Sequence, residues 1–245
     1  MAEEQKAMTN TLASLLKLPI KRNNVALILH GCGVYDGSEI SESVSMLIHL
    51  SKRGVNCSMF APNEVQLQVI NHLSGEEMDE TRNVLIESAR IARGKIAPLK
   101  QLDVSKFDAL LIPGGFGAAK NLSDFADQKS SCTVHSDIQS ILVKFHADQK
   151  PIGLCCIAPI LAARCLPGVE LTFGGDTEND GMWPFSDTCQ EAEKMGAKHV
   201  NKAPDEVHID WKSKVVTTPA FMCATSTFGN IFDGIGQLID AVLRI

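Results

Sequence analysis

The stretch KPIGLCCIAPI, residues 150–160, decides the fold. Pro151 to Leu154 is apolar and strand-like, while Pro159 suits the first turn of a helix, where a missing N–H costs little. The small side chain of Ala158 lets the chain bend sharply between the two. A thiol at the end of a short buried strand, followed at once by a turn and a helix, has the build of a nucleophile elbow. There a side chain stands above a sheet with backbone N–H groups beside it. Side chains alternate along a strand, so Cys155 and Cys156 point in different directions. Cys156, three residues before Pro159, takes the elbow; Cys155, the last strand residue, is expected in the core. A helix N-terminus lowers a thiol's pKa and favours thiolate. Against this stands the commoner role of a free cysteine, a small buried hydrophobe.

The flanking sequence repeats the strand–loop–helix pattern. Residues 24–30 (NVALILH) form an apolar run ending in Gly31-Cys-Gly33, a buried strand followed by a loop. Ser38 or Ser41 is placed to cap the next helix, which runs through Val44, Leu47, Ile48 and Leu50 to Gly54. A second strand is predicted over 56–61, and an insertion over 63–98 contains a helical pattern at 80–94. Residues 108–113 (DALLIP) form a third strand closed by Gly114-Gly115, and a helix over 136–148 leads into the elbow strand. Later, 169–173 reads as a strand, 206–210 and 214–218 as a hairpin, and 231–245 as a closing amphipathic helix.

Strands alternating with helices predict an α/β fold, a doubly wound, mostly parallel sheet with helices on both faces and a β-hairpin near the C-terminus. In such sheets ligands bind at the carboxyl ends of the strands, where every glycine-rich or reactive segment of this chain falls. No internal repeat is visible, so 24–245 is read as one domain preceded by an extension, 1–23. That extension carries Leu, Ser, Thr, Lys and Arg without an acid from Met8 to Arg22, as a mitochondrial presequence does. Glu3 and Glu4 argue instead for an amphipathic helix packed on the domain. Both readings stand, and the location is intracellular, cytoplasmic or mitochondrial.

The net charge of −6 gives no electrostatic reason to expect nucleic acid or an anionic membrane. No apolar run reaches the roughly 18–20 residues of a membrane span. The eight cysteines are scattered through a chain too long to need disulfide staples, which argues for reduced thiols. No C-x-x-C or paired-histidine spacing supports zinc, and no metal is expected.

An acid or base for Cys156 should come from another strand end. Glu39 and Glu42 lie three apart and share a helix face near its N-terminus. Glu39 is read as a first-turn acid favoured by the helix dipole; Glu42 leads into the apolar stripe and is better placed to point toward the elbow. The loop PGGFGAAK, residues 113–120, lets backbone approach a ligand and its N–H groups line an oxyanion hole. It matches neither G-x-x-x-x-G-K-[ST] nor G-x-G-x-x-G, so no nucleotide cofactor is expected. His208 and Asp210 share a strand face before a turn, where a solvated hairpin face is the plainer reading. The other histidines (30, 49, 72, 135, 146 and 199) lack an evident partner. The loop 174–186, with Asp176, Glu178, Trp183 and Phe185, either covers the site or is a surface excursion.

Five segments, GCGVYDGSEI (31–40), ETRNVLIESARIARGKI (80–96), PGGFGAAKNLS (113–123), KPIGLCCIAP (150–159) and VVTTPAFM (215–222), together resemble one family in order and spacing. It is the ElbB-like (enhancing lycopene biosynthesis) family, with its eukaryotic mitochondrial relatives, within the class I glutamine-amidotransferase-like superfamily that includes the PfpI-type proteins. The resemblance runs from about residue 25 to the C-terminus and implies a flavodoxin-like fold. It implies Cys156 as nucleophile, Glu42 as its carboxylate partner, and Gly115 with the N–H of Ile157 at the oxyanion positions. A protonated Glu42 would then donate to the thiolate. One departure matters. Glutamine amidotransferases carry a His-x-Glu pair after a late strand, where this chain reads Pro219-Ala-Phe-Met222. Nor is there a histidine in Thr172-Phe-Gly-Gly175, after the strand that follows the elbow. Without a dedicated base, amide hydrolysis is disfavoured. The resemblance implies instead a cofactor-free glyoxalase-like activity on small reactive aldehydes, and self-association. A redox-sensing thiol protein of the same fold is the alternative, and a glutamine amidotransferase the less favoured third.

Overall fold

The computed structural model describes residues 13–245. Residues 1–12 of the extension therefore lie outside the described part. The rest of the extension packs on the domain: Leu15 is buried in the core, the Lys21 N–H donates to the Leu243 carbonyl, and the Arg22 guanidinium donates to the Ile245 carbonyl.

Seven strands form the main sheet, in the order β3-β2-β1-β4-β5-β9-β8. The N-terminal half supplies β1 (Asn24–Ile28), helix α1 (Ile40–Lys52), β2 (Asn56–Ala61), helix α2 (Val84–Ile91), β3 (Ile96–Pro98) and β4 (Ala109–Ile112). Helix α3 (Ser136–Ala147) then leads to β5 (Ile152–Cys155), helix α4 (Pro159–Cys165), β6 (Glu170–Leu171), helix α5 (Asp187–Lys194) and β7 (Lys198–His199). The chain closes with β8 (His208–Asp210), β9 (Val215–Thr218) and helix α6 (Phe228–Val242). All pairings in the main sheet are parallel except β8 with β9, which is the expected hairpin. β1, β4, β5 and β9 are almost wholly buried, as continuous apolar strands covered by helices on both faces must be.

Strand order reverses between β1 and β4, so the loops after these two strands diverge and leave a crevice at their carboxyl ends. Helices α1 and α6 pack together, as do α3 and α4. Gly153 on β5 faces α6: a side-chain carbon there would press on Leu238 and Val242.

Several boundaries differ from the sequence expectation. The helix expected from residue 80 begins at Val84, because the Asn83 side chain accepts the Ile86 N–H and caps it there. Glu39, and neither Ser38 nor Ser41, caps α1: its carboxylate accepts the Glu42 N–H at 2.6 Å, while the Ser38 hydroxyl accepts from His30 N–H. The strand expected over 169–173 shrinks to the two residues of β6, which pair with β7 in a small separate sheet. Helix α6 starts three residues early, at Phe228, behind a capping box of Thr227 and Asn230.

Candidate active site

Cys156 follows the last residue of β5 with φ at +57°, a left-handed conformation unfavourable for a residue with a Cβ. Its N–H donates to the Thr218 carbonyl at 3.0 Å, which ties the elbow to the end of β9. Pro159 then opens α4, as expected of its missing N–H. The turn lifts the Cys156 side chain into a cavity of about 620 Å³, where the residue keeps 8% of its surface.

The N–H groups of Gly115 and Ile157 bond toward the Cys156 sulfur, so both residues named from the sequence as oxyanion donors sit at the thiol. Gly115 is held there by close backbone packing. Its φ is +98°, and a Cβ would lie 2.3 Å from the Gly37 carbonyl oxygen and 2.4 Å from Glu39 N. Only glycine fits.

Glu42, in the first turn of α1, is fully buried behind the cavity wall. Its Oε2 accepts the Gly114 N–H at 2.8 Å, and Oε1 makes a longer contact of 3.4 Å with the Phe221 N–H. The thiol that donates to it is Cys155, with Sγ at 3.3 Å from Oε2. Cys156 makes no hydrogen bond to Glu42, but the two face the same side of Gly114: a methyl group there would meet Glu42 Oε2 at 2.6 Å and Cys156 Sγ at 2.9 Å. One carboxylate is thus bonded to one thiol and close to the second. Cys155 is buried as expected, but the sequence reading missed its contact. The signal was present in the alternation of β5, which puts Cys155 on the face of Gly153, the side toward α6 and α1.

Burial, and then the Glu39 carboxylate, raise Glu42 from its ordinary 4.5 to about 7. Burial also pushes the Cys156 thiol well above its usual range; the Glu42 charge adds to this, while the N–H groups of Gly115 and Ile157 oppose it. A standing thiolate, expected from the helix N-terminus, is therefore corrected. Desolvation outweighs the backbone N–H groups of Gly115 and Ile157, which favours the protonated thiol.

Among the described residues no histidine lines the cavity. Each is engaged or buried elsewhere. His30, held near pKa 4 by burial, bonds through Nε2 to the Pro113 carbonyl at 3.0 Å. His72 accepts the Tyr35 N–H, His135 pairs with Glu64, and His199 meets the Gly174 carbonyl. His49 and His146 bond to the carbonyls of Phe232 and Ser213. His208 is buried 3.7 Å from Glu170, and Asp210 accepts the N–H groups of Glu170, Lys212 and Ser213, so the pair serves the hairpin turn. Residues 220–222, where an amidotransferase would place His-x-Glu, form a short 3₁₀ turn. Ala220 at φ +48° turns the chain there so that the Phe221 N–H faces Glu42.

The loop 174–186 does reach the cavity. Trp183 is buried against Gly174 and Gly175, and the next two residues, Pro184 and Phe185, line the cavity wall. Phe185 meets Phe116 edge to face, with centroids 5.7 Å apart. Among the described residues no group of three or more His, Cys, Asp or Glu is placed to hold a metal, and no helix is long and apolar enough to cross a membrane.

An elbow cysteine on this sheet, beside a buried glutamate and without the amidotransferase histidine, defines a glutamine amidotransferase-like α/β protein. No family model matches the chain. It is 52% identical over 228 residues to the ES1 protein homolog, mitochondrial, of Rattus norvegicus, covering 93% of this chain and 85% of that protein. It is 51% identical over 231 residues to the human glutamine amidotransferase-like class 1 domain-containing protein 3, mitochondrial, covering 94% and 86%. Among solved structures, an isoprenoid biosynthesis protein with an amidotransferase-like domain from Ehrlichia chaffeensis superposes with a TM-score of 0.80 at 34% identity, over 89% of this chain and 98% of that one. The chain belongs to the family of these ES1 and glutamine amidotransferase-like class 1 domain-containing proteins, the eukaryotic relatives of the ElbB-like group.

Proposed function

We propose that the protein is a cofactor-free, glyoxalase-type enzyme that converts a 2-oxoaldehyde to a 2-hydroxy acid. The observation that carries this reading is the placement of Glu42, raised to about 7, against the same glycine as the sulfur of Cys156. A carboxyl group with that pKa both accepts and returns protons near neutral pH.

In the first step the Cys156 sulfur adds to the aldehyde carbon while its proton passes to Glu42. The new oxygen anion is held by the N–H groups of Gly115 and Ile157 and then takes that proton, which gives a hemithioacetal. Glu42 next removes the hydrogen of the former aldehyde carbon as a proton and returns one to the adjacent carbon, while the hydroxyl proton passes from the first oxygen to the neighbouring carbonyl oxygen. The first carbon is oxidised by two electrons and the second reduced by two, so no external oxidant is needed. Water cleaves the resulting thioester, releases the hydroxy acid and restores the thiol. Because Glu42 is buried and does not line the cavity, its proton traffic is confined to the sulfur and the two substrate carbons nearest it.

Peroxide sensing has less support, since burial and the Glu42 charge keep the proton on the Cys156 thiol. The relatives' names support a mitochondrial location here too, which fractionation of expressing cells tests. The reaction is tested by incubating purified protein with methylglyoxal and measuring lactate. Turnover is expected in the wild type and a loss of at least about a hundredfold in Cys156→Ala and Glu42→Gln. Absence of lactate, or activity that survives Cys156→Ala, overturns the mechanism.

A further inference from the structure

The cavity is larger than methylglyoxal requires. At about 620 Å³ it lies within the roughly 300–1,000 Å³ of pockets that hold drug-sized ligands. A three-carbon aldehyde fills on the order of 100 Å³, at roughly 20–30 Å³ per heavy atom. Cys156, Gly115 and Ile157 occupy one part of the wall, and Phe116, Phe185 and Phe221 supply apolar surface around them. The remaining wall carries two ammonium groups. Lys120, half-buried, ends the helical turn Gly117–Lys120 that follows the oxyanion loop. Its Nζ donates to the Tyr35 carbonyl at 3.0 Å and lies 5.6 Å from the centre of the Phe116 ring. Lys129, exposed, holds its Nζ 5.7 Å from the Phe125 ring.

Among the described residues no carboxylate lies within 4.0 Å of either ammonium. Asp187 also lines the cavity and is exposed, so the lining side chains carry one net positive charge, while Asp36, Glu77 and Asp127 act on Lys120 from beyond contact distance. A lysine has three donors, and the Tyr35 carbonyl takes one. An ammonium drawn partly out of water onto an apolar wall, with donors to spare, is completed by an anion.

We infer that the substrate is a carbonyl compound with an apolar body and an oxyanion tail, carboxylate or phosphate, seated on Lys120 with Lys129 alongside. Only the carbonyl end rests on the reaction proposed above; the apolar body and the anion rest on the cavity and its lysines.

Binding of non-reactive probes tests this apart from catalysis. Isothermal titration calorimetry on the full chain compares 4-phenylbutyrate, 3-phenylpropyl phosphate and the uncharged 4-phenylbutanamide. At least one acid is expected to bind about tenfold more tightly than the amide, and the better acid identifies the tail. Lys120→Met should erase that preference, Lys120→Arg should retain most of it, and Lys129→Met should reduce it by less. Equal binding of acids and amide, a preference that survives Lys120→Met, or no binding of any probe at millimolar concentration overturns the inference. The lactate assay reports separately on the chemistry, so the binding and reaction readings fail independently.

Discussion

The Cys155 thiol donates to the carboxylate of Glu42 at 3.3 Å, while Cys156, one residue on, turns its own side chain into the cavity. Adjacent cysteines thus divide two tasks. Cys155 fixes the glutamate and Cys156 faces the cavity. The Cys155 hydrogen bond favours the ionised carboxylate, so its loss raises the Glu42 pKa further. Cys155→Ala is expected to move the acidic limb of the pH–rate profile upward and to cost about 1–3 kcal/mol of stability. Cys155→Ser retains a donor and should hold the limb near its wild-type position. A profile unchanged in Cys155→Ala would separate Cys155 from the chemistry.

Stability against pH carries a second signature. Glu42 is held at about 7 against an ordinary 4.5, so its neutral form fits the fold. That contribution is full below about 4.5 and is lost as pH rises through 7. His30 behaves in the opposite sense. Held near 4 against 6.5, it contributes fully above 6.5 and loses that contribution as pH falls through 4. Between about 4.5 and 6.5 the two slopes oppose each other. Glu42→Gln removes one of them, so the variant should become more acid-sensitive, by up to about 1.4 kcal/mol per pH unit in that window. It should also exceed the wild type in stability above pH 7. Urea midpoints measured from pH 4 to 8 read both effects.

Gly114 packs directly against the reactive groups of the site. An added methyl would meet Cys156 Cβ at 2.2 Å and Glu42 Oε2 at 2.6 Å. Gly114→Ala is expected to cost about 3 kcal/mol or more and to lower the melting temperature by several degrees. Gly229, on the exposed first turn of α6 with its nearest neighbour at 3.6 Å, is the control. Gly229→Ala should leave the melting temperature unchanged or raise it slightly, by up to about 1 kcal/mol of stability.

Reactivity of Cys156 offers a fourth check. Its thiol is held well above the usual range by burial. Alkylation by iodoacetamide is therefore expected to be slow at pH 7 and to rise steadily toward pH 10, with no plateau near neutrality. Mass spectrometry of the peptide spanning residues 150–164 measures it, and a plateau below pH 8 would contradict the buried-thiol reading. Glu42→Gln, which removes a neighbouring negative charge, should speed alkylation at a given pH.

The strands that carry the site were legible because each is a short apolar run stopped by glycine or proline. NVALI before Gly31, ALLI before Pro113 and IGLC before the elbow fall where they were expected. Cys156 could be singled out because an elbow needs a fixed sequence of strand, tight turn and helix, whereas Gly115 and Ile157 came from the family resemblance. β6 and β7 could not be placed well: each is two residues long, and they hold together through one parallel pairing across distant sequence. The thiol's proton was misjudged for another reason. A helix N-terminus can be read from a sequence, whereas the burial that overrides it depends on how α1 and the 113–117 loop close around the sulfur. The Trp183 anchor that carries Phe185 to the cavity is likewise a long-range packing event, visible in sequence only as an aromatic pair in a loop.

The packing of α1 against α6 links Glu42 to the chain's far end. Arg53, just past the end of α1, pairs with Asp240 on α6, which Arg244 also holds, and the Arg244 side chain donates to the Leu18 carbonyl. The glutamate beside the elbow is thus carried by a helix braced on the last residues of the protein, which in turn are strapped by residues 18–22. Affinity tags or fusion partners at either terminus would load the same brace. Untagged protein is the sound reference for any pH profile of this protein, and a tag that shifts the profile would be acting through the scaffold with no contact to the cavity.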